Sequence, residues 1–365
     1  MTWYPLDVTR IEHLPAESVA LSLRVPPELT ETFAHRPGQH VVVRHRAPAG
    51  ELRRSYSICP PPDDPTALRL VLTPVTPGGF GTYARTELKC GDALELSAPT
   101  GSFGLPDAPG AHHVLLAGGS GITPLAPMAA AALRGDPDCR VSLIHSVRTA
   151  ADALLADELA LLKDEFLDRF DVLHVLTRET GGSELCTGRL DPPKLRRLLE
   201  LLDTAPGARF ALCGPPGLLA TARDALHDVP ADHVRTELFH SFPSKTATFD
   251  GAKTGVFDTT KTGVFDAETD TPGGGRISAT LGGRTSSVTM LPQDRVVLDA
   301  VLRHRPEVPY SCRDGVCGSC RAKVVAGAVA LGPQHALDPA DLADGYTLAC
   351  RARPRTDELA LDFDV

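Results

Sequence analysis

No stretch of this sequence approaches about 18 uninterrupted apolar residues, which excludes a membrane-spanning helix. The opening residues, Met1–Arg10, lack an apolar segment behind a basic start, so no secretory leader is expected and the predicted compartment is the cytoplasm. Basic charge is scarce too. The 37 Lys and Arg against 46 Asp and Glu leave a net charge of −9, which argues against nucleic acid as a partner. Nor is this the composition of a disordered chain: 42% of its 365 residues are hydrophobic and 23% charged, enough for two to three folded domains of about 100–200 residues. What is present is an odd set of nine cysteines, unevenly placed. Cys59, Cys90, Cys139, Cys186 and Cys213 are scattered, while Cys312, Cys317, Cys320 and Cys350 crowd the last sixth. In a reducing compartment, clustered cysteines bind metal or act in redox more often than they form disulfides.

Residues 1–108 carry short β-like runs at Val19–Val25, Gln39–Val43, Arg54–Ile58, Leu68–Leu72 and Ala93–Leu96, punctuated by Pro and Gly, which predicts a small antiparallel barrel. From 109 to 240 strands alternate with helices. The strands fall at His113–Ala117, Arg140–Ser146, Phe170–Leu176, Arg209–Leu212 and Val234–Leu238, and the helices begin at Pro124, Asp152, Pro192 and Pro216. That alternation predicts a parallel sheet covered on both faces, with ligands at the carboxyl ends of its strands. Residues 241–275 repeat Lys245–Asp250, Lys253–Asp258 and Lys261–Asp266 at a period of eight, then end in Gly273–Gly275. They are expected to form a flexible linker, spanning about 30–36 Å root-mean-square. Residues 276–365 return to folded patterning, with a hairpin over Ile277–Met290 turning at Gly282–Gly283 and a helix near Asp294–Arg303. The predicted class is multidomain: an antiparallel β-barrel, an α/β parallel-sheet domain and a smaller C-terminal α+β domain.

Cys312, Cys317 and Cys320, followed by Cys350, are spaced C-x4-C-x2-C…C, the pattern of plant-type [2Fe–2S] ligation. Soft thiolate donors suit iron in both oxidation states. Gly315 and Gly318 let the backbone bend tightly and present N–H groups to sulfur. The alternative for such a quartet is a structural zinc site, whose usual arms are paired C-x2-C. Residues 276–365 resemble a plant-type ferredoxin domain, which implies a β-grasp-like fold.

Arg54-Ser-Tyr-Ser57 falls on a barrel strand. An arginine suits a pyrophosphate, the Tyr56 ring can pack on an isoalloxazine, and the Ser57 hydroxyl can bond its N5 edge; ordinary packing on a strand is the plain alternative. Gly78–Tyr83 offers glycines and Thr82 to an anion, or is a Gly-rich turn. Gly118-Gly-Ser-Gly-Ile-Thr-Pro124 opens a helix after a strand, with Thr123 placed to cap it and Pro124 at its first position, so that a pyrophosphate can approach the glycines and the helix amides. Cys213-Gly-Pro ends another strand.

Together R-x-Y-S, GGSGITP and Cys-Gly-Pro resemble the ferredoxin–NADP reductase superfamily. The resemblance implies an FAD site at Arg54, Tyr56, Ser57, Gly79, Gly81 and Thr82. It implies a nicotinamide-nucleotide site at Gly118, Gly119, Gly121, Thr123, Pro124, Gly214 and Pro215. Ser57, Cys213 and Glu237 are then the residues around hydride transfer, with Phe239 packed near the flavin. Arg148, Arg178 and Arg189 follow strands where a 2′-phosphate would lie, which favours NADPH. The domain order is similar to that of reductase subunits of bacterial multicomponent oxygenases, that of phenylacetyl-CoA epoxidase most of all. It implies an electron route from NADPH through FAD and [2Fe–2S] to an oxygenase component. A Rieske-type steroid or aromatic-ring hydroxylase is the second acceptor considered, and a non-enzymatic zinc-stabilised module a remote alternative. Residues 276–365 hold 11 Lys and Arg and 11 Asp and Glu, so the net charge lies elsewhere. Arg313, Arg321, Arg351 and Arg353 neighbour the cluster cysteines and suggest a basic contact face.

Overall fold

A computed structural model describes residues 1–47, 50–59, 66–74, 79–106, 108–180, 182–239, 275–337 and 339–364. The expected linker, apart from Gly275, lies outside the described residues. Among these residues no helix is long and apolar enough to cross a membrane. The described residues fall into two compact units, one within Trp3–Ser241 and one within Phe242–Val365 together with Met1–Thr2.

The first unit opens with β1 (Tyr4–His13), β2 (Val19–Arg24), β3 (His40–Ala47), β4 (Gly50–Ser57), β5 (Ala67–Leu72), the short helix α1 (Phe80–Thr86) and β6 (Ala93–Leu96). These strands pair antiparallel in the order β4-β3-β6-β1-β2-β5. A bridge between Ile58 and Leu70 brings the end of β4 back to β5 and closes the sheet into a barrel. Leu6, Val8, Leu21, Leu23, Val41 and Val43, at alternate positions, fill its interior.

The same unit continues with β7 (His112–Gly118), α2 (Ile122–Gly135), β8 (Arg140–Val147), α3 (Ala156–Glu165), β9 (Phe170–Leu176), α4 (Pro192–Leu201), β10 (Arg209–Gly214), α5 (Pro216–Ala225) and β11 (Val234–Leu238). The sheet is parallel throughout, in the order β11-β10-β7-β8-β9. Every residue of β7 is buried, as a central strand covered on both faces requires. Helix α4 starts where Asp191 accepts the Lys194 N–H (2.8 Å) ahead of Pro192. One core joins barrel and sheet, since Ala20, Cys59 and Val71 pack with Leu115, Met128 and Leu143. Gly38 sits at that junction with φ +91°, where a Cβ would lie 2.2 Å from both the Phe103 carbonyl and the Met128 methyl.

The second unit comprises β12 (Arg276–Leu281), β13 (Arg284–Thr289), α6 (Val297–Leu302), β14 (Arg321–Ala326), β15 (Val329–Leu331), α7 (Pro339–Ala343), β16 (Tyr346–Leu348), β17 (Ala352–Pro354) and β18 (Glu358–Asp362). Its five-stranded sheet runs β13-β12-β18-β14-β16, mixed because β12 and β18 are parallel; β15 and β17 pair separately. The predicted hairpin turn at Gly282–Gly283 is present, both glycines having positive φ. Helix α6 is shorter than predicted because the Asp299 carboxylate turns back to accept the Val296 N–H (3.3 Å), which fixes the start of the helix.

Candidate cofactor and redox sites

In the parallel sheet β7 has β8 on one side and β10 on the other, so the chain reverses its winding direction between β7 and β10. A crevice opens at the carboxyl ends of strands on either side of such a point. The Gly118–Gly121 loop starts at the last residue of β7, Cys213–Pro215 spans the end of β10, and Glu237 lies near the end of β11. Glycine makes their convergence possible. A Cβ on Gly121 would sit 2.2 Å from the Cys213 carbonyl oxygen, and one on Gly118 would sit 2.6 Å from Pro215 Cδ. Gly214 in turn approaches the Gly118 backbone, at 3.1 Å from its own would-be Cβ. Gly118, Gly121 and Gly214 thus let two loops close on each other. Gly119 alone among the loop glycines has positive φ (+53°) with open space where a side chain would project.

Cys213 is paired with Glu237 in strand register, and its thiol donates to Glu237 Oε2 at 3.9 Å. Burial raises the Glu237 carboxyl to about 8 and pushes the Cys213 thiol well above its ordinary value. The Phe239 N–H donates to the Gly214 carbonyl (3.0 Å), and its ring packs against the shared core. Ser57, buried at the end of β4, makes no hydrogen bond to Cys213 or Glu237. Thr123 is not the helix cap that was predicted. Helix α2 begins at Ile122 with Gly121 at its cap position, and the Thr123 hydroxyl donates to the Ser120 carbonyl (3.0 Å). Pro124 therefore stands at the third helical residue.

Sequence reasoning missed His145. It lies fully buried on β8 beneath the loop, and its Nε2 bonds the Gly119 carbonyl at 3.0 Å. A histidine at the carboxyl end of the apolar run Arg140–Val147 was the available signal.

On the barrel, Arg54 is exposed, with one Nη donating to the Arg53 carbonyl (2.8 Å). The Tyr56 ring lies 5.9 Å from Phe80, the first residue of α1, and burial pushes its phenol up. Gly79 caps α1 without a side chain; Gly78 lies outside the described residues. Gly81 serves packing instead, since a Cβ there would come within 3.0 Å of the Pro74 backbone.

The three candidate phosphate arginines are exposed on adjoining backbone. The Arg178 N–H donates to the Arg148 carbonyl (2.8 Å), and the Gly188 N–H, beside Arg189, donates to the Leu176 carbonyl (3.0 Å).

In the second unit the cysteine quartet is wrapped by left-handed turns at Arg313, Gly315 and Gly318 (φ +62°, +74° and +69°). Backbone amides point at sulfur. Asp314 N–H donates to Cys312 Sγ (3.3 Å), Cys312 N–H to Cys317 Sγ (3.5 Å) and Cys350 N–H to Cys320 Sγ (3.5 Å). Such donors stabilise thiolate charge, as a cluster requires. Hydrogen bonding from Cys317 holds the Cys312 thiol far below its ordinary value, while bonding to Cys312 pushes Cys317 and Cys350 up. Four thiolates at this spacing suit a cluster that shares them between two irons.

Three family models match in chain order: an oxidoreductase FAD-binding domain over residues 5–104, an oxidoreductase NAD-binding domain over 115–224 and a 2Fe-2S iron-sulfur cluster binding domain over 279–355. The chain is 32% identical to one of the subunits of 1,2-phenylacetyl-CoA epoxidase from Escherichia coli (strain K12), over 100% of this chain and 98% of that protein. The chain belongs to the ferredoxin–NADP reductase superfamily. This reductase is also 28% identical to the ferredoxin reductase component of 3-ketosteroid-9-alpha-monooxygenase from Rhodococcus rhodochrous, over 98% and 96% of the two chains. It shares the fold of phthalate dioxygenase reductase, with a TM-score of 0.54 and 22% identity over 99% of this chain and 98% of that one. It is an oxidoreductase with FAD-binding, NAD-binding and [2Fe–2S] domains.

Of the remaining cysteines in this reductase, Cys59 and Cys139 are buried and Cys186 half-buried, as packing residues are. Cys90 is exposed.

Proposed function

We propose that this chain is the reductase component of an oxygenase, carrying electrons from NADPH to a protein acceptor, with phenylacetyl-CoA epoxidase the acceptor its similarity favours. The observation that carries the reading is the convergence of the Gly118–Gly121 loop, Cys213–Pro215 and Glu237 at one crevice, in a chain that also holds an amide-wrapped cysteine quartet. When bound, FAD accepts a two-electron hydride and releases electrons singly to a [2Fe–2S] cluster. In this reading residues 1–108 hold FAD, 109–240 the nucleotide and 276–365 the cluster, joined through 241–275.

Arg54 supplies a guanidinium to the flavin pyrophosphate, Tyr56 lends its ring face and Ser57 its hydroxyl. Gly79 and Thr82 border the phosphates, and Gly81 seats α1 close enough for them to do so. The Gly119 side of the loop, with Thr123 and Pro124 behind it, takes the nucleotide pyrophosphate. Cys213 and Glu237, backed by Gly214 and Pro215, face the nicotinamide, and Phe239 shields the flavin. Cys312, Cys317, Cys320 and Cys350 hold the irons. Arg148, Arg178 and Arg189 meet the 2′-phosphate, each contributing on the order of 1 kcal/mol in partly screened surroundings.

The test is kcat/KM for NADPH against NADH, in the wild type and with each of these three arginines replaced by alanine. The reading expects the NADPH preference to fall several-fold per arginine; a wild type that prefers NADH overturns it. A second acceptor, a steroid hydroxylase, is favoured by the 28% identical relative. Adding each purified oxygenase component to this chain with NADPH, and following phenylacetyl-CoA epoxidation or steroid hydroxylation, decides between them.

A further inference from the structure

The cluster-bearing unit carries a patch of strongly one-signed surface. An open groove of about 510 Å³ reaches Cys350, one of the four cluster cysteines, and four arginines line it: Arg295, Arg313, Arg351 and Arg353. Among the described residues, Asp299 is the only acid on its lining. The domain as a whole is balanced, with 11 basic and 11 acidic residues over 276–365, so the groove concentrates four of the basic residues against one of the acids. The remaining acids are not part of its lining. Asp364, for instance, accepts from Gly282 and Gly283 at the hairpin turn (2.6 and 2.8 Å).

Three of the arginines are held in place. Arg313 pairs with Asp299 (3.1 Å) and lies over the Tyr310 ring (4.9 Å). Arg351 Nε donates to the Pro333 carbonyl and Arg353 Nε to the Arg295 carbonyl, both at 2.8 Å. A guanidinium fixed through one N–H keeps a planar, charged fork with less rotamer freedom left to lose, which suits recognition of carboxylates. Arg321 does not belong to this face as the sequence suggested. It pairs with Asp341 (2.6 Å) and stacks over Tyr346 (3.6 Å), away from the groove lining.

We infer that this groove is the docking surface for an acidic, Asp- and Glu-rich face of the electron-accepting oxygenase component. The inference rests on the reading of the chain as an oxygenase reductase. Arginines around a cluster cysteine would steer an anionic protein surface to the point where the cluster is nearest to the groove, and would do so more weakly as salt rises. At the groove one electron leaves the cluster and one enters the partner's acceptor; no bond or proton is exchanged there.

The test uses the full holoprotein and the purified phenylacetyl-CoA epoxidase oxygenase component, with the Kd of their complex measured by titration at low and high salt. Arg295→Glu and Arg353→Glu should each raise Kd about tenfold; Arg295→Lys should not, and the wild-type complex should weaken with salt. The visible spectrum should stay unchanged, which shows that flavin and cluster are intact. Unchanged Kd in both charge reversals, with the wild type still binding and reducing the oxygenase, would overturn the docking surface and leave the proposed function standing. If the wild type neither binds nor reduces that component, the choice of acceptor fails instead. The groove is then judged by reoxidation of the reduced cluster, followed at its own absorption, with the anion hexacyanoferrate(III) and the cation hexaamminecobalt(III). The charge reversals must slow the anion and speed the cation, and indifference to both overturns the groove.

Discussion

At the scale of single residues, the crevice depends on the absence of three side chains and on one buried histidine. Gly121→Ala places a methyl group 2.2 Å from the Cys213 carbonyl, so the loop must move. We expect a loss of about 1–3 kcal/mol in stability and a raised KM for the nucleotide, measured by thermal unfolding and steady-state kinetics. Gly119→Ala meets open space but a positive φ, and should cost about 1 kcal/mol. Burial holds His112 and His145 at about 4, against 6.5 unfolded, so both are neutral in the fold. Below 6.5 the unfolded chain takes up protons that the folded chain refuses, and stability falls with falling pH until about 4. Each histidine should remove about 2 kcal/mol between pH 7 and pH 5, and His145→Gln should flatten that dependence in denaturant titrations. Glu237 works in the opposite sense. Its carboxyl, raised to about 8, keeps its proton in the fold while the unfolded chain loses one above 4.5, so its contribution to stability is lost as pH rises towards 8. Glu237→Gln should remove that alkaline loss.

At the scale of elements, periodicity located most strands, because an apolar run or alternation is a direct consequence of burial. Ala93–Leu96, Phe170–Leu176 and Val234–Leu238 have the observed bounds. Strand β1 and the five strands β14 to β18 were not located; β1 sits inside the barrel sheet between β6 and β2. Pro5 interrupts it, and the alternation buries only Leu6 and Val8 fully, so the sequence carries no clear strand signal there. Helix starts were displaced wherever tertiary contact overrode the local signal: Gly121, pressed on Cys213, replaced Thr123 as the cap of α2. The cysteine quartet stands out in the sequence because its spacing is local, while the domain that holds it matches a 2Fe-2S cluster binding family model. The crevice was legible only as separate motifs, since strand order decides which of them meet. Cys317→Ser should abolish iron binding and electron delivery to an oxygenase while leaving NADPH-dependent ferricyanide reduction in place; iron analysis and the two assays check it.

At the scale of the whole molecule, the barrel and the parallel sheet are tied by a buried charge. Arg69 on β5, 5% exposed, pairs with Glu158 of α3 at 2.8 Å and lies 4.0 Å from Glu12. Removing it strands a half-buried carboxylate between the two. Arg69→Ala should cost about 3 kcal/mol and lower the thermal midpoint of the barrel and sheet together rather than separately. The central claim is that one chain links a nicotinamide nucleotide to a flavin and a flavin to an iron–sulfur cluster. Anaerobic titration of the purified chain with NADPH, followed by visible absorption and electron paramagnetic resonance, tests it most directly. The account predicts that flavin and sulfide-to-iron bands bleach together and that a reduced [2Fe–2S] signal appears. A colourless protein, or a flavin that bleaches while the iron–sulfur bands stay oxidised, would contradict it.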